Sequence, residues 1–360
     1  MVVTRFLPSV LVILHLVGGC SIYPARYVLV NSAELGSRGD VPLINRNDSV
    51  CSTQIAEASA TRKALRRQIH GTIEQAGTLR VKYHPLYATN RCMVVEGSIG
   101  GSKRKYPVLL DTGASQGVLV NDIHVLENKL PILDKVDSRG QPLGLCHVTE
   151  LRMGQVTLAN LACWYVQGHL ELEFFGLPIA RDDSIIVGLT ALREFKYIVF
   201  DSMNREVEFS RNQAFLPGNK HGWSKYPLSI REDKYGNAFA FVEVPIAGEP
   251  MEVQLDTGSG NGLAISEKLW EALSPRVEKA RLKDGVDLYP YIGRLPCRRG
   301  IIPRLEVGDR EIRDAKISVF PSNSPLLSEC KAVLGMQYFQ DTVMVLDFQD
   351  AIMWVKNPQD

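Results

Sequence analysis

The sequence predicts a mainly β protein made of two tandem halves. Three observations carry this expectation. Short β-branched and apolar runs are punctuated by glycine-containing turns, an Asp-Thr-Gly motif ends such a run twice, and the same later landmarks follow each motif in the same order. A length of 360 residues suits two domains plus an extension. Apolar residues at 45% and charged residues at 22% exclude a wholly disordered chain, a collagen-like polymer and a polytopic membrane protein. With 41 Lys and Arg against 40 Asp and Glu, no domain-wide basic field favours a nucleic acid partner.

Residues 1–20 carry one charge, Arg5, and an apolar run from Val10 to Val17 broken only by His15. That run is too short to cross a bilayer as a mature helix, so a cleavable export signal is expected. Val17-Gly18-Gly19-Cys20 resembles a bacterial lipobox, with Val where Leu is usual at the first position. The resemblance implies lipidation at Cys20, a membrane anchor facing the periplasm and, from Ser21, sorting to the outer membrane. An ordinary signal peptide or an uncleaved anchor is the plainer alternative. Residues 21–90 read as tether and extension: 21–50 show no period, and Ile55 to Ala76 reads as a helix stopped by Gly77. Cys51, Cys92, Cys146, Cys163, Cys297 and Cys330 form no C-x-x-C pair, which leaves structural thiols or disulfides.

The first half, 91–210, opens with a hairpin from Met93 through Gly100-Gly101 to Leu110-Asp111-Thr112-Gly113. The second, 226–357, opens with Phe241 through Ala247-Gly248 to Leu255-Asp256-Thr257-Gly258. Leu151-Arg152-Met153-Gly154 and Leu305-Glu306-Val307-Gly308 each begin a further hairpin. Val187-Gly188 and Leu334-Gly335 follow, and Val199-Phe200-Asp201 and Val345-Leu346-Asp347 lead into each closing turn and strand. Gly188 lies 77 residues beyond Asp111, and Gly335 lies 79 beyond Asp256. Matched order and spacing indicate a tandem duplication. Residues 211–225, polar and carrying Pro217-Gly218, read as the linker.

On these residues the sequence resembles the aspartic proteases, and the retropepsin-like branch more than the pepsin-like one. The resemblance covers both halves. It implies two closed β-barrel (acid protease) domains forming a pseudo-dimer, with Asp111 and Asp256 as a catalytic pair that activates water against an extended polypeptide. Two adjacent carboxyls share one proton, so one can accept from water while the other faces the carbonyl. Thr112 and Thr257 match threonines whose hydroxyls bond across the halves, and Gly113 and Gly258 let the loops approach the pair. The resemblance also implies covering flaps, for which Asp137 to Leu145 and Leu288 to Gly293 are candidates, and no metal or organic cofactor. Asp201 and Asp347 read as structural turn residues.

Gly113-Ala114-Ser115-Gln116-Gly117 also satisfies the serine-hydrolase pattern G-x-S-x-G. That chemistry needs a helix directly after the serine, and Val118-Leu119-Val120 reads as strand. The histidines are scattered with no H-E-x-x-H, which argues against a metalloprotease. The remaining alternative is an inactive peptide-binding or envelope-scaffold module on the same fold. The short linker favours pairing of the halves within one chain, hence a monomer.

Overall fold

The computed structural model describes residues 25–30, 38–40, 72–73, 77–86, 91–136, 143–174, 177–218, 222–233, 237–289, 293–328 and 330–357. The chain is mainly β, with few and short helices. Its N-terminal strands are β1 (Ala25–Val30), β2 (Arg38–Asp40), β3 (Thr72–Ile73) and β4 (Thr78–Lys82). There follow β5 (Val94–Ile99), β6 (Tyr106–Asp111), β7 (Val118–Asn121), helix α1 (Asp122–Asn128), β8 (Ile132–Val136), β9 (Leu143–Met153) and β10 (Val156–Val166). Next come β11 (His169–Phe174), β12 (Leu177–Arg181), β13 (Ile185–Gly188), helix α2 (Leu189–Leu192), β14 (Tyr197–Asp201) and β15 (Glu206–Ser210).

The C-terminal part repeats this order without β11 and β12, and with a 3-10 turn (Met336–Phe339) in the place of α2. It holds β16 (Trp223–Glu232), β17 (Ala238–Ile246), β18 (Glu249–Asp256), β19 (Leu263–Ser266), helix α3 (Glu267–Leu273), β20 (Lys283–Tyr289) and β21 (Gly293–Val307). It ends with β22 (Arg310–Phe320), β23 (Ala332–Gly335), β24 (Val343–Asp347) and β25 (Ile352–Lys356).

Two rings of strands close on themselves. The first runs β10-β7-β13-β6-β5-β9 and returns to β10; the second runs β22-β19-β23-β18-β17-β21 and returns through β21. Each ring carries its parallel pairs at the same places, β13 beside β6 and β23 beside β18. Alternation fills both interiors: Val108 and Leu110 on β6, and Val253 and Leu255 on β18, are fully buried. A side chain of this kind contributes about 1.5–3 kcal/mol when buried. A six-stranded run, β16-β25-β24-β14-β15-β4, then joins the rings, with β14 and β24 antiparallel at its centre.

The N-terminal expectations need correction. Within the stretch read as a tether, β1 pairs with β11 and β2 with β1. Tyr27-Val28-Leu29-Val30 is a run of strand formers, and the edge of the β11–β12 hairpin supplies its partner. Of the expected helix Ile55 to Ala76, Thr72–Ile73 is strand, two β-branched residues paired with β10; the rest lies outside the described residues. β4, also assigned to the extension, pairs with β15. Trp223–Lys225, read as the end of the linker, belongs to β16 and pairs with β25. No disulfide is formed among the described cysteines.

Candidate active site

Each Asp-Thr-Gly motif sits where a strand runs out. Leu110 and Leu255 point into the barrels, so the next residues, Asp111 and Asp256, emerge on the opposite face. The chain then turns through Gly113 or Gly258 and re-enters its sheet as β7 or β19.

The two turns are tied by reciprocal bonds between buried threonines. Thr112 Oγ1 donates to the Leu255 carbonyl at 2.7 Å, and Thr257 Oγ1 donates to that of Leu110 at 2.6 Å. Each hydroxyl also accepts the other threonine's amide, at 3.1 Å for Thr112 Oγ1 and 3.0 Å for Thr257 Oγ1. Every donor and acceptor thereby finds a partner in a water-free position, where leaving one unmade costs about 1–3 kcal/mol.

Across this junction each carboxyl lies against the other half's Asp-Thr-Gly loop, and the two are close enough to influence each other's proton affinity. Asp111 Oδ1 accepts the amides of Gly113 at 2.8 Å and Ala114 at 3.1 Å. The glycines make this approach feasible. A Cβ on Gly113 would lie 2.6 Å from Asp256 Cγ, and one on Gly258 would lie 2.6 Å from both Asp111 carboxyl oxygens. Any other residue displaces the opposite carboxyl.

Behind each turn stands the strand ending in the later glycine. Gly188 donates to the Gly117 carbonyl at 2.6 Å and Leu189 to that of Ala114 at 2.8 Å. Gly335 donates to Gly262 at 2.9 Å and Met336 to Ser259 at 2.8 Å. Gly188 and Gly335 pack so closely on these carbonyls that a Cβ would collide with backbone.

Burial raises the proton affinity of both aspartates. For Asp111, amide bonds from Ala114, Gly113 and Gly258 partly offset it. Asp256 is pushed further up, because the Asp111 charge adds to burial. One proton on the pair removes the repulsion and leaves the partner an ionised base.

The sequence-derived residues thus divide clearly. Asp111, Thr112, Gly113, Asp256, Thr257 and Gly258 come together at one junction. Cys20 lies outside the described residues. The flap candidates fall at the tips of the hairpins β8–β9 and β20–β21, whose residues 137–142 and 290–292 lie outside the described residues. Ser115 is followed by strand β7, and its carbonyl accepts the Thr190 hydroxyl at 2.7 Å.

Other neighbours carried no signal in the sequence. Met93 donates its amide to the Thr257 carbonyl at 3.0 Å and Ala238 to that of Ser115 at 3.3 Å. The Cys92 thiol, buried and near both aspartates, is pushed up to about 12, chiefly by burial. Among the described residues no three His, Cys, Asp or Glu side chains gather as a metal set, and no helix is long and apolar enough to cross a membrane.

No protein-family model and no curated protein matches the chain. Among solved structures it is similar to basic 7S globulin from soybean, at 12% identity over 78% of this chain and 94% of that one, with a TM-score of 0.40. It is also similar to conglutin gamma, a basic 7S globulin from lupine seeds, at 10% identity over 78% and 95%, with a TM-score of 0.41.

Proposed function

We propose that the chain is an aspartic endopeptidase, with Asp111 and Asp256 as its catalytic pair. The observation that carries this reading is the reciprocal threonine lattice that sets two carboxyls, each against the other half's loop, at one junction. An amide carbonyl is a weak electrophile, so hydrolysis needs a base for water and a proton donor for the carbonyl oxygen at once. A singly protonated pair offers both. In this reading the two closed barrels are retropepsin-like halves forming a pseudo-dimer within one chain. The polypeptide lies extended between them, under the hairpins β8–β9 and β20–β21. The first 20 residues support export, with Cys20 as the lipid anchor in the cell envelope.

The test is cleavage of a diverse peptide pool from acidic to neutral pH by the wild type, Asp111→Asn, Asp256→Asn and an equal mixture of the two variants. Cutting by the wild type alone is expected. Activity regained in the mixture would show pairing across chains. A wild type that binds peptides but cuts none would establish the peptide-binding module instead.

A further inference from the structure

We infer that the two ends of the cleft differ in charge, and that the end walled by Arg91 and Lys316 receives an acidic side chain of the substrate. This rests on the peptidase reading above.

On the second barrel, Ala315, Ile317 and Val319 of β22 face the core, so Lys316 and Ser318 lie on the other face. The same alternation puts Asp256 on that face, opposite buried Val253 and Leu255. Asp256 pairs with Gly335, Gly335 bonds to Gly262, and the Leu263–Ile317 pairing sets Gly262 beside Lys316. Lys316 therefore stands level with Asp256, three strands away, or about 14 Å at ordinary strand spacing. Its backbone is fixed there. The Lys316 amide donates to Gln337 Oε1 at 3.2 Å, and its carbonyl accepts the Tyr338 hydroxyl at 2.8 Å.

Arg91 arrives from the first half. Two residues on, Met93 accepts the Leu110 amide at 2.8 Å and donates to the Thr257 carbonyl at 3.0 Å, which lays this segment across the second loop. Arg91 is exposed and holds a left-handed backbone, φ +59°, uncommon without glycine.

The other end is built alike but carries no charge at these places. Asp111 pairs with Gly188, Gly188 bonds to Gly117, and the Leu119–Trp164 pairing sets Gly117 beside Ala162. Ala162 thus occupies the place of Lys316. The Phe241–Gln254 pairing sets Ala240 against Leu255 as Met93 stands against Leu110, so Ala238 is the residue that corresponds to Arg91 in register, but it is fully buried in β17 and presents no charge, whereas Arg91 is exposed.

Among the described residues no carboxylate lies within ion-pair distance of Arg91 or Lys316. The nearby cation Arg299 is already tied to Asp287 and to the Val286 carbonyl. The Lys316 ammonium is held below its usual range, first by burial and then by the charges of Arg91 and Arg299. Repulsion within this group is relieved by an anion supplied from outside. An extended substrate covers about 14 Å in roughly four residues, so the acidic side chain belongs about four positions from the scissile bond, on one side only.

The test uses a neutral peptide that the wild type cuts, amidated at its C-terminus to exclude a terminal carboxylate. Glu and Gln are placed in turn at each flanking position, at about pH 5.5, where Glu is ionised. Glu is expected to raise kcat/KM over Gln about 3–10-fold on one side, with the gain lost at about 0.5 M salt. The double variant Arg91→Ala, Lys316→Ala should lose the preference, and Ala162→Lys should add one on the opposite side. Equal rates for Glu and Gln throughout, or a preference surviving in the double variant, would overturn the inference. Binding of the same labelled peptides to the Asp111→Asn chain, read by anisotropy, separates the two claims. If nothing is cut yet Glu peptides bind more tightly, hydrolysis fails and the charged end stands; equal binding refutes the charged end.

Discussion

Thr112 and Thr257 hold each other reciprocally: each hydroxyl accepts the other's amide and donates to the carbonyl two residues before the other. Both side chains are fully buried, so no water substitutes for a lost partner. Thr112→Val keeps the shape but strands the Thr257 amide and the Leu255 carbonyl. A loss of about 2–5 kcal/mol in urea unfolding is expected, with a fall in kcat/KM. Thr112→Ser should recover most of both, and a harmless Thr112→Val would refute this account.

The glycines of the turns divide into two kinds. A Cβ on Gly113 meets the Asp256 carboxyl, whereas one on Gly188 meets the carbonyls of Gln116 and Ala114. Gly113→Ala should therefore cost activity above all, at least about 100-fold, because a displaced carboxyl misaligns the pair. Gly188→Ala presses on backbone and should cost stability first, about 1–3 kcal/mol by thermal unfolding. Equal effects of the two substitutions on stability would contradict the distinction.

How much of this was legible follows from range. Strand ends at Asp111 and Asp256 were readable because hairpin patterns and turn glycines are local, and the repeat doubled the signal. Strands β1, β3 and β4 were not, because their partners β11, β10 and β15 lie over a hundred residues away or nearly so and a short edge strand has little period of its own. The contrast of Lys316 with Ala162 was likewise invisible. The two barrels had to be laid register on register before a cation and an alanine could be seen to occupy equivalent places.

The acid pair should make the fold more sensitive to alkali than to mild acid. Asp256 is raised well above the usual carboxylate range in the folded chain, mainly by burial and then by Asp111. For a group raised on folding, the stabilising contribution is complete below its unfolded value, about 3.9, and is lost as pH rises through the folded value. Asp256→Asn, neutral at every pH, should therefore raise Tm relative to the wild type near neutrality, with the gain shrinking towards acid pH. A gain confined to acid pH would reverse the sign and remove the argument.

A second pH-dependent contact lies away from the pair, at His169. Its Nδ1 faces Asp122 Oδ1 at 3.2 Å and its Nε2 faces Glu171 Oε1 at 3.3 Å. Asp122 opens helix α1, while His169 opens β11, the strand that β1 joins. The imidazole therefore links the helix after the first Asp-Thr-Gly loop to the added N-terminal sheet. Burial alone lowers its proton affinity, but the hydrogen bonds and charges of Asp122 and Glu171 outweigh burial and raise it. The contribution is complete below the unfolded value of about 6.5 and fades as pH rises through the higher folded value. His169→Gln should thus lower Tm more near pH 5, roughly, than in mild alkali, where the wild-type imidazole has also lost its charge. Asp122→Asn should lower the His169 titration midpoint measured by NMR, since it removes one of the two facing carboxylates. A Tm difference independent of pH would reduce His169 to a packing residue.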